Sequence, residues 1–135
     1  MRSDLYNGVT LAFIGDAYYG LQIKRHLVER RAITHAQTLQ KLLAQFVKAA
    51  AQATIIQTLI EQGTLTETEI DIFKRGRNAK TNSKPKHADV ITYKMSTGFE
   101  AVIGWLVLDK NEARADELID QAIAIIEGAG DLYEK

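Results

Sequence analysis

The sequence contains no cysteine. Disulfide scaffolds, thiol nucleophiles and cysteine-ligated zinc are thereby excluded. One proline and nine glycines leave little room for a loop-rich, many-turned β fold. Net charge is lacking as well, because seventeen Lys+Arg balance seventeen Asp+Glu. That excludes a uniformly basic nucleic-acid coat but leaves room for a local basic patch. The apolar runs, such as Val102–Leu108, are too short or too broken to span a bilayer. The opening stretch MRSDLYNG has none of the apolar character of a signal peptide. The expected address is the cytoplasm, with no membrane partner.

What is present is globular. Residues of the AVILMFWYC set make up 46% and charged residues 25% of the 135 positions, which is the size of one domain. The dominant signal is helical spacing. Leu11, Ile14, Tyr18, Leu21 and Val28 recur at steps of three, four or seven, which predicts one buried face behind a start at Asn7-Gly8. Thr34-His35-Ala36-Gln37 and Thr66-Glu67-Thr68-Glu69 both spell capping boxes. The first predicts a long helix with a break near Ala53-Thr54 and a stop at Gly63; the second predicts a short helix ended by Gly76. Asp89 is placed to cap a short helix through Tyr93, and Ser96-Thr97-Gly98 to open a separate apolar helix to Leu108. Asn111 caps a last helix with Leu118, Ile119, Ala122, Ile123 and Ile126 inward, ending near Gly128. No strand pair with alternating polarity, no repeat and no linker is visible. The expectation is an all-α fold, one domain over residues 1–135.

Two acids are out of place in this pattern. Asp16 lies within Ala12-Phe13-Ile14-Gly15-Asp16-Ala17-Tyr18, and Glu100 lies at the head of the most apolar segment. Each has small neighbours, Gly15 and Ala17 in one case, Gly98 and Ala101 in the other. Small residues let helices approach closely, so the two segments can pack and bring the carboxylates together. Such a pair repels unless a cation sits between them. Mg²⁺ suits carboxylate oxygens and assists phosphodiester hydrolysis. With three scattered histidines and no cysteine, zinc is disfavoured. A structural reading stands beside this one: Thr97 and Glu100 also spell a capping box, and Asp16 reads equally as a hydrogen-bonded core aspartate.

The second unusual feature is Gly76–Ala88, a long irregular stretch with the only proline. Lys74, Arg75, Arg77, Lys80, Lys84 and Lys86 fall in or beside it with no acid among them. One reading is a solvated loop. The other is contact with nucleic-acid phosphates, with the cations neutralising them and Asn78, Asn82 and Ser83 adding hydrogen bonds. Lys24, Arg25, Arg30 and Arg31 form a weaker basic group, and His26 and His35 read as surface or packing residues.

The segment Leu11-Ala12-Phe13-Ile14-Gly15-Asp16-Ala17-Tyr18 resembles the signature helix of the ribonuclease III family, in which a Gly-Asp-Ala step carries a metal-binding aspartate. Phe99-Glu100-Ala101-Val102-Ile103-Gly104 resembles the family's closing segment, whose glutamate binds metal. Lys74-Arg75-Gly76-Arg77-Asn78-Ala79-Lys80 and Ser96-Thr97-Gly98-Phe99-Glu100-Ala101 are similar to the small Mini-ribonuclease III branch, which has no appended RNA-binding domain. The resemblance runs from about Asn7 to Ile126. It implies a helical homodimer that cuts double-stranded RNA with Mg²⁺, leaving 5′-phosphate and 3′-hydroxyl ends. Asp16 and Glu100 would be its catalytic metal ligands. Arg75, Arg77, Asn78, Lys80, Lys84 and Lys86 would be its RNA contacts. The biological expectation is maturation of large-subunit ribosomal RNA precursors, with a ribosomal protein as accessory. Two departures thin the acidic set: larger relatives carry acids where this chain has Ala12 and Thr97. A non-catalytic duplex-RNA-binding dimer is therefore the alternative. Gly20 stands where a glutamate is expected in the small branch. The dimer face expected from the sequence includes Trp105 and the first helix.

Overall fold

The computed structural model describes residues 6–80, 89–130 and 132–133, and every regular element among them is helical. The six helices are α1 (Gly8–Arg25), α2 (Ala36–Val47), α3 (Ala49–Glu61), α4 (Glu67–Arg77), α5 (Val90–Leu108) and α6 (Glu112–Gly128). A single π-helical turn, His26–Arg30, extends α1. The expected all-α class holds. Of the basic stretch, residues 81–88, including Asn82, Ser83, Lys84 and Lys86, lie outside the described residues.

Helix α5 is the axis of the fold. It packs against α1, α3, α4 and α6, and it is apolar nearly all round, as a helix covered on most sides must be. Phe99, Ala101, Val102, Ile103 and Leu106 are buried along it. Asp89 caps it, its Oδ1 accepting from the Thr92 N–H at 2.7 Å. The chain does not restart at Ser96 as the sequence pattern predicts. Thr97 lies inside the helix, and its hydroxyl donates to the Tyr93 carbonyl at 3.0 Å. The Thr97–Glu100 capping box is therefore not formed, and that structural role for Glu100 falls away.

Helix α1 starts at Asn7, whose Oδ1 accepts from the Thr10 N–H at 2.8 Å. Its buried face is Leu11, Ala12, Gly15, Tyr19 and Ile23, not the stripe predicted from Leu11, Ile14, Tyr18, Leu21 and Val28. Leu21 and Val28 are 52% and 46% exposed. The inward stripe is centred on a glycine, which carries no apolar signal, and on Tyr19, whose hydroxyl donates to the Phe46 carbonyl at 2.8 Å.

The remaining caps divide. Thr66 and Glu69 form the expected reciprocal capping box, and Asn111 caps α6. The predicted box at Thr34 does not form: α2 begins one residue later, at a His35 N-cap with no side-chain bond. Upstream, Ala32 takes positive φ and the Ile33 N–H bonds back to the Leu27 carbonyl, which sets a different exit from the π turn. The break in the following helical run falls at Lys48, in extended conformation between α2 and α3, rather than near Ala53-Thr54. Gly63 ends α3 at positive φ, as predicted. Helix α4 runs past Gly76, because that glycine serves packing: a Cβ there would stand 2.6 Å from the Ala101 Cβ.

Candidate active site at a glycine crossing

Gly15 on α1 and Gly104 on α5 face each other where these helices cross. A Cβ on Gly15 would overlap the Glu100 carbonyl, and one on Gly104 would overlap the Leu11 carbonyl. Only bare backbone fits on both sides. This reciprocal notch fixes the register of the two helices. Asp16 follows Gly15, and Glu100 sits one turn before Gly104, so the crossing delivers both carboxylates to one rim. Gly98 and Ala101 do not build this contact. They face α4 instead, with Phe73 and Gly76 packed against them.

The two acids differ in setting. Asp16 is exposed, whereas Glu100 is half-buried. Burial pushes the Glu100 carboxyl up to about 8, and the neighbouring Asp16 carboxylate raises it further towards that value. Gln52 of α3 pulls the other way, donating from Nε2 to Glu100 Oε2 at 3.3 Å. Tyr19 stands close behind, its own pKa raised by burial and by the Glu100 charge. Its ring meets Phe99 edge-on at 5.1 Å, both of them buried in the core.

Asp16 and Glu100 line a cavity of about 260 Å³ together with Tyr93, Lys94 and Thr97 of α5. Val9 and Phe13 of α1 form its apolar side, and Gly76 and Ala79 bring in the end of α4. Among the described residues no group of three or more His, Cys, Asp or Glu is placed to hold a metal. Ala12 is buried and Thr97 is neutral, so among the described residues Asp16 and Glu100 are the acids lining this cavity. Two carboxylates nevertheless fit Mg²⁺, which is usually bound by one or two carboxylates, several waters and substrate phosphates. A dication would also offset the burial and the neighbouring charge that raise the Glu100 carboxyl.

The basic run begins beside this cavity. The N-terminal end of α1 packs on the end of α4, where a Cβ on Gly8 would stand 2.7 Å from the Arg75 carbonyl. Arg75 donates to the Tyr6 carbonyl at 3.3 Å. Arg77 lies 5.4 Å over the Phe73 ring and donates to Asn78 Oδ1 at 3.3 Å. Asn78 and Lys80 are exposed just beyond the helix, with Ala79 between them on the cavity wall. Cations at a helix C-terminus are also favoured by its dipole.

The second basic group does not join this site. Arg25 pairs with Glu29 at 3.1 Å, Arg30 with Asp120 at 3.1 Å and Arg31 with Glu127 at 2.8 Å. Most of them border a separate cavity between α1 and α6, which also holds Gln22 and Asp116. His26 is buried and bonds Glu127 at 2.7 Å, a packing role, while His35 is exposed. Sequence reasoning missed Gln52, Tyr93 and Lys94. A glutamine between Ala51 and Ala53 on an inward face was a readable signal for the first; nothing local marked the others.

Comparison with known proteins identifies the family. The Ribonuclease III domain family matches residues 9–111. Mini-ribonuclease 3 of Streptococcus pneumoniae is 45% identical over 93% of this chain and 97% of its own length. Mini-ribonuclease 3 of Staphylococcus aureus is 39% identical over 90% of each chain. The crystal structure of a protein from Fusobacterium nucleatum superposes with a TM-score of 0.81 at 31% identity, covering 96% of this chain and all of that one. The chain thus belongs to the ribonuclease III family, as an endoribonuclease of the Mini-ribonuclease 3 kind.

Proposed function

We propose that this endoribonuclease hydrolyses double-stranded RNA with Mg²⁺ held between Asp16 and Glu100, as a homodimer. Its products would carry 5′-phosphate and 3′-hydroxyl ends, and its role would be maturation of large-subunit ribosomal RNA precursors in the cytoplasm. The observation that supports the chemistry is the carboxylate pair: a half-buried acid pushed up to about 8 beside a second acid, in an open cavity. Strongly raised carboxyls in clefts are the usual mark of a working site. When bound, Mg²⁺ polarises the scissile phosphate and lowers the pKa of the attacking water.

The chain's own residues do the rest. Asp16, on the open side, meets solvent and substrate. Glu100, held from behind by Gln52, gives the site a fixed inner ligand. Lys94 at the cavity wall offers an ammonium to phosphate oxygens. Arg75, Arg77, Asn78 and Lys80 extend the cationic surface along the duplex backbone, and Lys84 and Lys86 continue it in sequence. A-form RNA is read largely through such phosphate and 2′-hydroxyl contacts.

One carboxylate pair cuts one strand. A two-fold axis supplies the second pair for the antiparallel strand. The apolar face beside the cavity supports this assembly: Val9 and Phe13 on α1 are 44% and 76% exposed, and Val90 and Ile91 on α5 are 59% and 75% exposed. A second copy covering them removes a patch that would otherwise stand in water. Trp105, also expected at the dimer face, is half-buried and lines a separate groove with Glu69 and Arg114.

Cleavage of an end-labelled perfect RNA duplex, with and without Mg²⁺, tests the reading with wild type and Asp16→Asn side by side. Wild type is expected to cut only with Mg²⁺. Asp16→Asn is expected to bind the duplex, keep its helicity and not cut. Cutting by Asp16→Asn at near the wild-type rate would overturn the site assignment.

A further inference from the structure

Gln52 is buried to 2% exposure on the inward face of α3, at a position an apolar side chain would fill at less cost. Its two hydrogen-bonding neighbours are both acceptors. Nε2 donates to the Val47 carbonyl at 3.0 Å and to Glu100 Oε2 at 3.3 Å. That fixes which end of the amide faces them. Oε1 is then left buried with no partner among the described residues. The fold tolerates an unsatisfied acceptor in order to present a donor.

The α2–α3 break explains how the donor is held. At Lys48 the backbone turns extended, with ψ at 152°, which separates the two helices and leaves the Val47 carbonyl at the seam. One proton of the Gln52 amide closes that seam. The second reaches across to α5. A role confined to the seam accounts for the first bond and not for the second.

We infer that Gln52 is the positioning residue of the metal site. Anchored on the Val47 carbonyl, it holds one oxygen of Glu100 and leaves the other for the cation beside Asp16. The inference rests on the reading of Asp16 and Glu100 as the Mg²⁺ ligands. A fixed donor behind a ligating carboxylate sets its orientation, and loss of such partners typically weakens metal binding about 10- to 100-fold.

The test needs no RNA for its first readout. Full-length wild type, Gln52→Met, Glu100→Gln and Tyr19→Phe are melted across a Mg²⁺ series, and the Mg²⁺ concentration giving half of the rise in Tm is recorded. Mg²⁺-dependent cleavage and duplex affinity in EDTA are then measured on the same proteins. Gln52→Met keeps length but has no donor. Tyr19→Phe loses the bond to the Phe46 carbonyl near the same seam and leaves the donor to Glu100 in place.

Gln52→Met is expected to need about tenfold more Mg²⁺ in both readouts, with cleavage recovered at saturating Mg²⁺ and duplex affinity unchanged. Tyr19→Phe is expected to melt lower while keeping the wild-type Mg²⁺ requirement. A wild-type requirement in Gln52→Met overturns the inference, as does an equal shift in Tyr19→Phe. If Gln52→Met does not fold, Gln52→Asn repeats the test, since it keeps an amide but is one methylene too short to serve both acceptors. Should Glu100→Gln respond to Mg²⁺ as wild type does, the metal reading itself fails. Loss of response in Glu100→Gln alongside normal Gln52→Met sinks only the positioning role.

Discussion

Glu127 on α6 and Glu100 on α5 are both partly buried glutamates on long helices, and their surroundings drive them apart. Around Glu127 stand Arg31 at 2.8 Å, His26 at 2.7 Å and the Tyr133 hydroxyl at 2.6 Å. Burial opposes its charge, but the bonds from Arg31, Tyr133 and His26 outweigh burial and hold its carboxyl down at about 2. Around Glu100 stand a second carboxylate and one neutral amide, and its carboxyl is pushed up to about 8. A carboxylate supplied with donors is a structural joint. One that is half-buried, faces another acid and opens onto a cavity is held away from its charged form, and on the proposed reading a cation would offset that. Glu69 belongs with Glu127: burial works against it, but Arg114 at 2.8 Å and Thr66 hold it below the usual range.

Mutations sharpen that contrast. The largest effect is expected at the open pair. Asp16→Asn should lower duplex-RNA cleavage about a thousand-fold, which corresponds to about 4 kcal/mol of lost transition-state stabilisation, with little change in Tm. Gly104→Ala comes next, because its Cβ would overlap the Leu11 carbonyl and force α1 from α5. It should cost about 3 kcal/mol in urea denaturation. Glu127→Gln should destabilise by about 1–3 kcal/mol, since it breaks a hydrogen-bonded cluster, and leave cleavage near wild type. Loss of cleavage there with normal stability would erase the distinction between the two glutamates. The smallest effect belongs to Gly20→Ala, where nothing lies within 4 Å of the added methyl. It should stabilise by about 0.5–1 kcal/mol through helix propensity alone. The glycine at this position has no structural explanation.

The sequence made the helices and the carboxylate pair legible because both rest on local signals. Apolar spacing marked the inward face of α6 except Ala115, the caps at Asn7, Thr66, Asp89 and Asn111 were each readable, and acids inside apolar helices stand out. Contacts made by absence were harder to read. The inward stripe of α1 is centred on Gly15, so periodicity selected Leu21 and Val28, which are exposed. Thr34 and Thr97 carried capping patterns that tertiary context overrode, one at the exit of a π turn and the other in the middle of α5. Gly76 looked like a stop and proved to be a notch. Gln52 lies 48 positions from Glu100, and no local pattern links them.

Stability against pH, with and without Mg²⁺, tests most directly whether Glu100 is short of a cation. The folded pKa of Glu100 lies near 8, above its ordinary 4.5. Its contribution is therefore complete below about 4.5 and lost as pH rises towards about 8, because only the folded state still holds the proton. Glu127 has the opposite sign: its contribution is present above about 4.5 and lost as pH falls towards about 2. In EDTA, Tm should fall between pH 5 and about 8.5, Mg²⁺ should restore it most at the alkaline end, and Glu100→Gln should show neither change. A wild-type Tm that is flat over this range in EDTA, or a Mg²⁺ response that Glu100→Gln retains, would contradict the claim that this carboxylate pair is built to take a cation.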